Sequence, residues 1–123
     1  MAPVRVLIVD DQERFRRAAS AVVDSMDDFV VVGTAGRGED SLTAAAQLRP
    51  DLVLMDINLP GIDGLEATRR LRAAADPPVV VLLSTYDQSD YGDETILCGA
   101  SGYLNKSAFD TSSMLEVWNQ VTV

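Results

Sequence analysis

Acidic, hydroxyl and amine side chains stand directly after several short apolar runs of this sequence. They are Asp10, Asp11, Asp56, Ser84, Thr85 and Lys106. Carboxylates gathered at low dielectric repel one another strongly, and a hard divalent cation with oxygen ligands relieves that repulsion. If these residues meet in the fold, they predict a Mg²⁺ site, with Mn²⁺ as a substitute. The opposing interpretation is that Asp10 and Asp11 only cap a following helix, where acidic residues are common.

The apolar runs must be strands if these side chains are to meet. The segments with strand character are 4–9, 29–32, 52–55, 79–83 and 102–104. Between them, apolar residues recur at helical spacing in segments 15–26, 41–48, 63–76, 88–98 and 114–121. Asp63 resembles an N-cap with Glu66 at the matching capping-box position, and Pro77 ends that helix. The fourth helix is predicted to be weak, because Gly92 and Asp93 lie inside it.

A strand followed by a helix, repeated five times, predicts an α/β fold with a doubly wound, five-stranded parallel sheet. Helices then cover both faces, and one domain occupies residues 1–123. In such sheets ligands bind beyond the carboxyl ends of the strands. The acidic residues, the two hydroxyls and Lys106 are all expected at that edge.

Composition limits the partners and the compartment. The net charge is −9 and the chain has no histidine. So acidic a surface repels nucleic acid and anionic membranes, and suits a basic protein partner or a divalent cation. A single cysteine, Cys98, cannot form an internal disulfide, and neither a secretory signal nor a membrane-spanning apolar run is visible. We therefore expect a cytoplasmic protein that does not itself contact nucleic acid or membrane.

Four stretches of the chain resemble the receiver domain of bacterial response regulators. They are VRVLIVDD at 4–11, DLVLMDINLPGIDG at 51–64, Ser84 after the fourth predicted strand, and GASGYLNK at 99–106. They lie in the family's order, and the resemblance covers essentially the whole chain. The last stretch is similar to the NarL/FixJ (LuxR-type) subgroup. The resemblance implies a flavodoxin-like strand order of 2-1-3-4-5.

The resemblance also assigns roles at the edge of the sheet. By similarity, Asp56 is the phosphoacceptor and receives its phosphoryl group from a phosphohistidine of a sensor histidine kinase. Asp11, Asp56 and the backbone carbonyl of Asn58 are implied ligands of Mg²⁺, and Asp10 acts through a water molecule or orients the site. Lys106 would pair with a phosphoryl oxygen. The competing interpretation of Lys106 is a solvated surface lysine.

Two further residues are implied in switching. Ser84 would hydrogen-bond the phosphoryl group, and Thr85 is the neighbouring candidate if the strand register differs by one residue. Tyr103 would be an aromatic switch that turns inward when Ser84 moves. The alternatives are a hydroxyl at a helix start for Ser84 and an ordinary half-buried strand residue for Tyr103.

The chain departs from the family pattern at several positions. Ser107 follows Lys106, where many receivers have a proline in a cis bond. A cis bond without proline costs about 3 kcal/mol, so we expect a trans bond here. Asn105 replaces the apolar residue usual beside the lysine. Gly92 and Asp93 replace apolar, helix-favouring residues, which puts the usual output surface in doubt.

The predicted function is a phosphorylation-controlled module without a separate substrate, hence not an enzyme, that switches a DNA-binding output domain absent from this chain. Trp118 lies in the core, or contacts that domain or a second copy in a homodimer. One alternative is a single-domain phosphorelay protein. Another is a pseudo-receiver that binds partners without phosphorylation. An aspartyl-phosphate hydrolase is disfavoured, because Asn58 stands where such enzymes carry a second carboxylate.

Overall fold

Parallel strands form one sheet at the centre of the molecule, in a computed structural model that describes residues 2–122. Met1 and Val123 of the predicted domain lie outside the described residues. The strands are β1 (Val4–Val9), β2 (Phe29–Ala35), β3 (Leu52–Asp56), β4 (Val79–Ser84) and β5 (Gly102–Asn105). Their order is β2-β1-β3-β4-β5, and the paired strands run parallel. The predicted fold class and strand order are confirmed.

Helices cover both faces of this sheet. They are α1 (Glu13–Asp24), α2 (Gly38–Leu48), α3 (Gly64–Arg72), α4 (Glu94–Leu97) and α5 (Thr111–Val121). Buried residues of α3 pack with one core, against which α2 also lies, and buried residues of α1 and α5 pack with the other. Among residues 2–122, no helix combines the length and apolar character needed to cross a membrane.

The two cores explain why the strands have nearly continuous apolar sequences. Side chains alternate between the faces of a strand, and both faces of this sheet are covered. In β3, Val53 and Met55 belong to the core under α2 and α3, whereas Leu52 and Leu54 belong to the core under α1 and α5. A strand buried on both faces leaves its polar residues only at its ends, which is where the candidate site begins.

The predicted helix over residues 88–98 is wrong in its extent, and the alternative of a short helix that starts late describes the segment better. The segment forms a 3₁₀ turn at Gln88–Tyr91 and then the four-residue α4, with Gly92 between them at a φ of 59°. That left-handed backbone value interrupts a right-handed helix and favours glycine. Ile96 and Leu97 are 67% and 77% exposed, so the apolar spacing that indicated a helix does not mark a buried face.

Two local predictions around the helices have different outcomes. Asp63 does cap α3, because its carboxylate accepts the N–H of Glu66 at 2.8 Å. The reciprocal half of the capping box is not formed, since the Glu66 carboxylate pairs with Arg69 and Arg70 instead. The Lys106–Ser107 bond is trans, as expected.

Candidate functional site

Polar residues meet where the central strands end. They are Asp10 directly after β1, Asp56 at the end of β3, Ser84 at the end of β4 and Lys106 directly after β5. The parallel register sets Asp56 beside Leu83 and Ser84 beside Asn105, so the ends of β3, β4 and β5 are level. The topology therefore brings these side chains to one edge of the sheet, as the sequence predicted.

A buried ammonium lies between two buried carboxylates at this edge. Nζ of Lys106 contacts Oδ2 of Asp10 and lies 3.2 Å from Oδ2 of Asp56. The side chains of Asp10, Asp56 and Lys106 are 0%, 4% and 11% exposed. The ammonium also lies 4.8 Å from the centre of the Phe15 ring, within cation–π range. Lys106, the single lysine of the chain, is thus not a solvated surface residue.

Burial and charge set the protonation of this cluster. Burial, together with the charge of Asp10, raises the pKa of Asp56 from 3.8 to about 6, and Lys106 acts against that rise. Burial alone would lower the pKa of Lys106, but its contact with Asp10 and the charge of Asp56 raise the pKa overall. At neutral pH both the Lys106 ammonium and most of Asp56 are therefore charged.

Asp10 does more than cap a helix. Its Oδ1 accepts the N–H of Gln12 at 2.8 Å, and its backbone carbonyl accepts Nη1 of Arg16 at 2.6 Å. Gln12 is the N-cap residue of α1, so Asp10 stands before the cap and its other carboxylate oxygen contacts Lys106. The capping interpretation accounts for one oxygen of Asp10 and leaves the ion pair unexplained.

Three carboxylates could share a cation here. One oxygen from each of Asp10, Asp11 and Asp56 lies within 4.8 Å of the others, and Asp11 is exposed to solvent. Opposite ligands of an octahedral Mg²⁺ are about 4 Å apart, so small side-chain movements would let these oxygens converge. Asn58 follows in the loop after β3, is exposed, and donates its N–H to Oδ1 of Asp56 at 3.3 Å. The donor set fits a hard divalent cation.

The two candidate hydroxyls are in different surroundings. Ser84 is buried, accepts the N–H of Tyr86 at 3.0 Å, and forms a hydrogen bond with the Tyr91 hydroxyl at 2.8 Å. Thr85 is exposed beyond the end of β4. Ser84 therefore lies inside the site. Its tyrosine partner was not predicted, since Tyr91 sits in a segment whose spacing suggested a helix.

Tyr103 lies half-buried beside Tyr91. Its hydroxyl donates to the backbone carbonyl of Tyr86, and its ring centre is 6.3 Å from that of Tyr91. Burial raises the pKa of the Tyr103 phenol, and the nearby Ser84 hydroxyl acts against that rise. Tyr86, Tyr91 and Tyr103, the three tyrosines of the chain, form a continuous aromatic group beside Ser84. A switching movement of Tyr103 stays a prediction.

The loop after β3 is held by a residue that sequence reasoning missed. Glu39, in the first turn of α2, accepts the N–H of Ile62 at 2.7 Å and pairs with Arg37 at 3.1 Å. A Cβ at Gly61 would lie 2.3 Å from the Glu39 carboxylate, and one at Gly64 would lie 2.0 Å from the carbonyl oxygen of Asp56. Glycines thus allow the loop to close against both Glu39 and the strand that ends in Asp56.

We expect Glu39→Ala to destabilise the protein by about 1 kcal/mol, because the Ile62 N–H loses its acceptor. Urea unfolding at pH 7 measures the change. Asp40→Ala is the matched control: Asp40 also lies in the first turn of α2, so it shares the interaction with the helix dipole, and its side chain is exposed. Equal losses in the two variants would show that the contact with the loop contributes nothing.

Comparisons with known proteins agree with this arrangement. The profile of the response regulator receiver domain matches residues 6–118. Response regulator GacA of Pseudomonas viridiflava is 40% identical over 105 residues, which cover 85% of this chain and 49% of GacA. Transcriptional regulatory protein LiaR of Bacillus subtilis is 38% identical over 106 residues, covering 85% of this chain and 50% of LiaR. The chain thus spans about half the length of these curated relatives.

Solved structures include a close match of fold. The signal receiver domain of the response regulator NarL from Mycobacterium tuberculosis superimposes with a TM-score of 0.90 at 28% identity, over 98% of both chains. The response regulator domain of Thermotoga maritima CheB superimposes with a TM-score of 0.85 at 26% identity, also over 98% of both chains. The likeness therefore extends over the whole sheet and its flanking helices.

Proposed function

Because the chain belongs to the response regulator receiver domain family, we propose that it accepts a phosphoryl group on Asp56 from a sensor histidine kinase. The observation that carries this proposal is the buried cluster of Asp10, Asp56 and Lys106. A carboxylate held at a strand end beside a fixed ammonium is suited to attack phosphorus, because the ammonium offsets the negative charge of the added phosphoryl group. A solvated surface aspartate would have neither property.

In the proposed transfer, an oxygen of the ionised Asp56 attacks the phosphorus of a phosphohistidine. The new O–P bond forms as the N–P bond breaks, and the imidazole of the kinase leaves. Lys106 then pairs with the added phosphoryl charge, and Ser84 donates its hydroxyl proton to a phosphoryl oxygen. Both residues are already at the edge of the sheet, so transfer requires side-chain movements only.

We propose that Asp10, Asp11 and Asp56 hold Mg²⁺ for this step, with the Asn58 carbonyl as a further ligand and Mn²⁺ as a substitute. When bound, the ion would neutralise charge on the phosphoryl oxygens. The grouping of the three carboxylates supports this assignment. Asp10 already pairs with Lys106, so Asp11 is the carboxylate with most freedom to reach the ion.

We further propose that phosphorylation controls a DNA-binding output domain in the cytoplasm, because the similar proteins GacA and LiaR are named as regulators and are about twice as long. A homodimer of the receiver is part of this proposal. The chain has no separate substrate in this scheme. A phosphorelay protein without an output domain would use the same chemistry at Asp56.

Intact mass spectrometry tests the proposal. After incubation with acetyl phosphate and Mg²⁺, we expect the protein to gain one phosphoryl group, and Asp56→Asn to gain none. Asp63→Asn is the matched control, because Asn caps a helix as well as Asp does and Asp63 lies in the same loop. No gain in the unmodified protein would favour the pseudo-receiver alternative. Sustained hydrolysis of unrelated phosphomonoesters would favour a hydrolase.

A further inference from the structure

We propose that Tyr91 is a positioning residue that couples the phosphorylated site to residues 87–98: its hydroxyl donates to Oγ of Ser84 and thereby leaves the Ser84 proton for the phosphoryl group. This inference rests on the proposed function. Tyr91 is not among the residues that the sequence indicated. Its hydrogen bond with Ser84 connects that residue to the segment containing α4.

The Ser84 hydroxyl has one proton and two lone pairs. One lone pair accepts the N–H of Tyr86 at 3.0 Å, and this backbone group can only donate. The Tyr91 hydroxyl, at 2.8 Å, can stand in either relation to Ser84, as donor or as acceptor. The direction of this single hydrogen bond decides where the Ser84 proton goes.

A phosphoryl oxygen only accepts hydrogen bonds. If Ser84 donated to Tyr91, it would have no proton left for the phosphoryl group. If Tyr91 donates, both lone pairs of Ser84 are used and its proton is free for a third partner. Phosphorylation of Asp56, on the neighbouring strand, therefore selects the order Tyr91 to Ser84 to phosphoryl oxygen. Hydroxyls linked in this order polarise and strengthen one another.

Tyr103 cannot supply the same proton. Its single hydroxyl proton is directed to the carbonyl oxygen of Tyr86. Tyr103 also lies near Ser84, but as a donor it is already engaged. Of these two tyrosines, Tyr91 is thus the one placed to donate to Ser84.

Tyr91 connects Ser84 to a segment with little structure of its own. It is the last residue of the 3₁₀ turn Gln88–Tyr91 and precedes Gly92, whose φ is 59°. The helix that follows, α4, has four residues. A segment made of one 3₁₀ turn and one short helix, interrupted at Gly92, also depends on its contacts with the sheet, so a stronger bond from Tyr91 to Ser84 should make residues 87–98 open less often.

Hydrogen exchange in the full chain measures this coupling. Beryllium fluoride with Mg²⁺ serves as a stable phosphoryl mimic at Asp56, and the intact mass after incubation with acetyl phosphate checks acceptance. In the unmodified protein we expect amide exchange in residues 87–98 to slow with the mimic by up to about fivefold, since fivefold is the effect of one whole ordinary hydrogen bond and the mimic strengthens an existing one. Tyr91→Phe keeps the ring, should still gain a phosphoryl group, and should lose this slowing.

Matched variants separate the hydroxyl from the aromatic packing. Tyr86→Phe removes a hydroxyl from the neighbouring ring, which is 58% exposed, and should keep the slowing. Ser84→Ala should abolish it and Ser84→Thr should retain it, which tests the coupling independently of any effect of Tyr91→Phe on folding. Loss of the slowing in Tyr86→Phe as well would show that the slowing does not depend specifically on the Tyr91 hydroxyl, and would overturn the proposal.

Two other outcomes have distinct meanings. An unmodified protein that gains no phosphoryl group would overturn the proposed function itself. A protein that gains the group, and whose Tyr91→Phe variant slows exchange by the same factor, would overturn only the role of Tyr91. Loss of the slowing in Tyr103→Phe with retention in Tyr91→Phe would assign the coupling to Tyr103, and would also overturn the proposal.

Discussion

Lys106→Met is expected to destabilise the protein by about 3 kcal/mol at pH 7 without divalent ions, because it leaves two buried carboxylates without their counter-charge. Asp10 and Asp56 are almost fully buried, and Lys106 contacts both of them. Methionine keeps the length and the apolar stem of lysine but removes the ammonium. The loss should therefore come from charge and not from packing.

The pH dependence of this loss has a definite sign. In the native protein the contact with Asp10 and the charge of Asp56 hold the pKa of Lys106 above its ordinary value of 10.5, so the stabilisation from the ammonium is fully present at neutral pH. Removing the ammonium should raise the pKa of Asp56 further. As the pH falls to 5, Asp56 takes up a proton, the repulsion from Asp10 ends, and the loss caused by Lys106→Met should shrink.

Urea unfolding at pH 7 and pH 5, with EDTA and then with Mg²⁺, measures these effects. The matched control is Arg17→Met, which removes a cation from an exposed ion pair with Glu13 and should cost well under 1 kcal/mol at either pH. Mg²⁺ should recover part of the stability lost in Lys106→Met, since it replaces the missing positive charge. A loss as small as that of Arg17→Met would mean that the two carboxylates are not held together in solution.

The sheet and its polar edge were predictable because they follow from short-range patterns. A strand buried on both faces has a continuous apolar sequence, and β3 shows this in Leu52, Val53, Leu54 and Met55. Once the strands are parallel, the residue after each strand must lie at the common edge. Asp56 could thus be placed next to the other acidic residues without any knowledge of side-chain packing.

The weakness of the helix after β4 was predicted from Gly92 and Asp93, but its short extent was not, for a physical reason. Its apolar residues have helical spacing, but spacing indicates a helix only when one face is buried. Ile96 and Leu97 are exposed, so these two side chains form no buried face that would oppose the break at Gly92. Local backbone preference then decides the structure, and a helix of eleven positions becomes a turn and a four-residue helix.

Pairings between distant side chains were also beyond the sequence. Glu39 reaches the Ile62 N–H from α2, and Tyr91 reaches Ser84 from a turn whose position depends on Gly92. Neither contact has a characteristic spacing, because each depends on how a loop closes over the sheet. The resemblance to the family indicated Tyr103 as the tyrosine that responds to Ser84. In this chain Ser84 forms a hydrogen bond with a second tyrosine, Tyr91, which the sequence did not indicate.

Asp56→Asn is expected to stabilise the protein at pH 7.5 without divalent ions, although it removes the phosphoacceptor. Burial and the charge of Asp10 raise the pKa of Asp56 from 3.8 to about 6 in the folded protein. The folded state then holds the proton more tightly than the unfolded state does, so ionisation of Asp56 opposes folding. This cost is absent well below pH 4, grows between pH 4 and 6, and is complete above pH 6.

The expected gain is about 1–2 kcal/mol at pH 7.5. The difference between the ordinary pKa of 3.8 and the folded-state pKa of about 6 corresponds to about 3 kcal/mol of unfolding free energy, and solvent screening near the surface reduces this amount. Asparagine preserves the shape of the side chain and can still accept the N–H of Asn58, while Asp10 keeps Lys106 paired. The ionised carboxylate is therefore retained at a cost in stability, as expected for a group that must act as a nucleophile.

Urea unfolding of both proteins between pH 4 and 7.5 isolates the contribution of Asp56, because all other carboxylates are common to the two chains. The gain of Asp56→Asn should vanish near pH 4, and Asp63→Asn, which changes an exposed carboxylate in the loop after β3, should give no comparable gain. Mg²⁺ should stabilise the unmodified protein more than Asp56→Asn, since one ligand is missing in the variant. A variant less stable than the unmodified protein at pH 7.5 would show that pairing with Lys106 outweighs burial, which would contradict the raised pKa of Asp56.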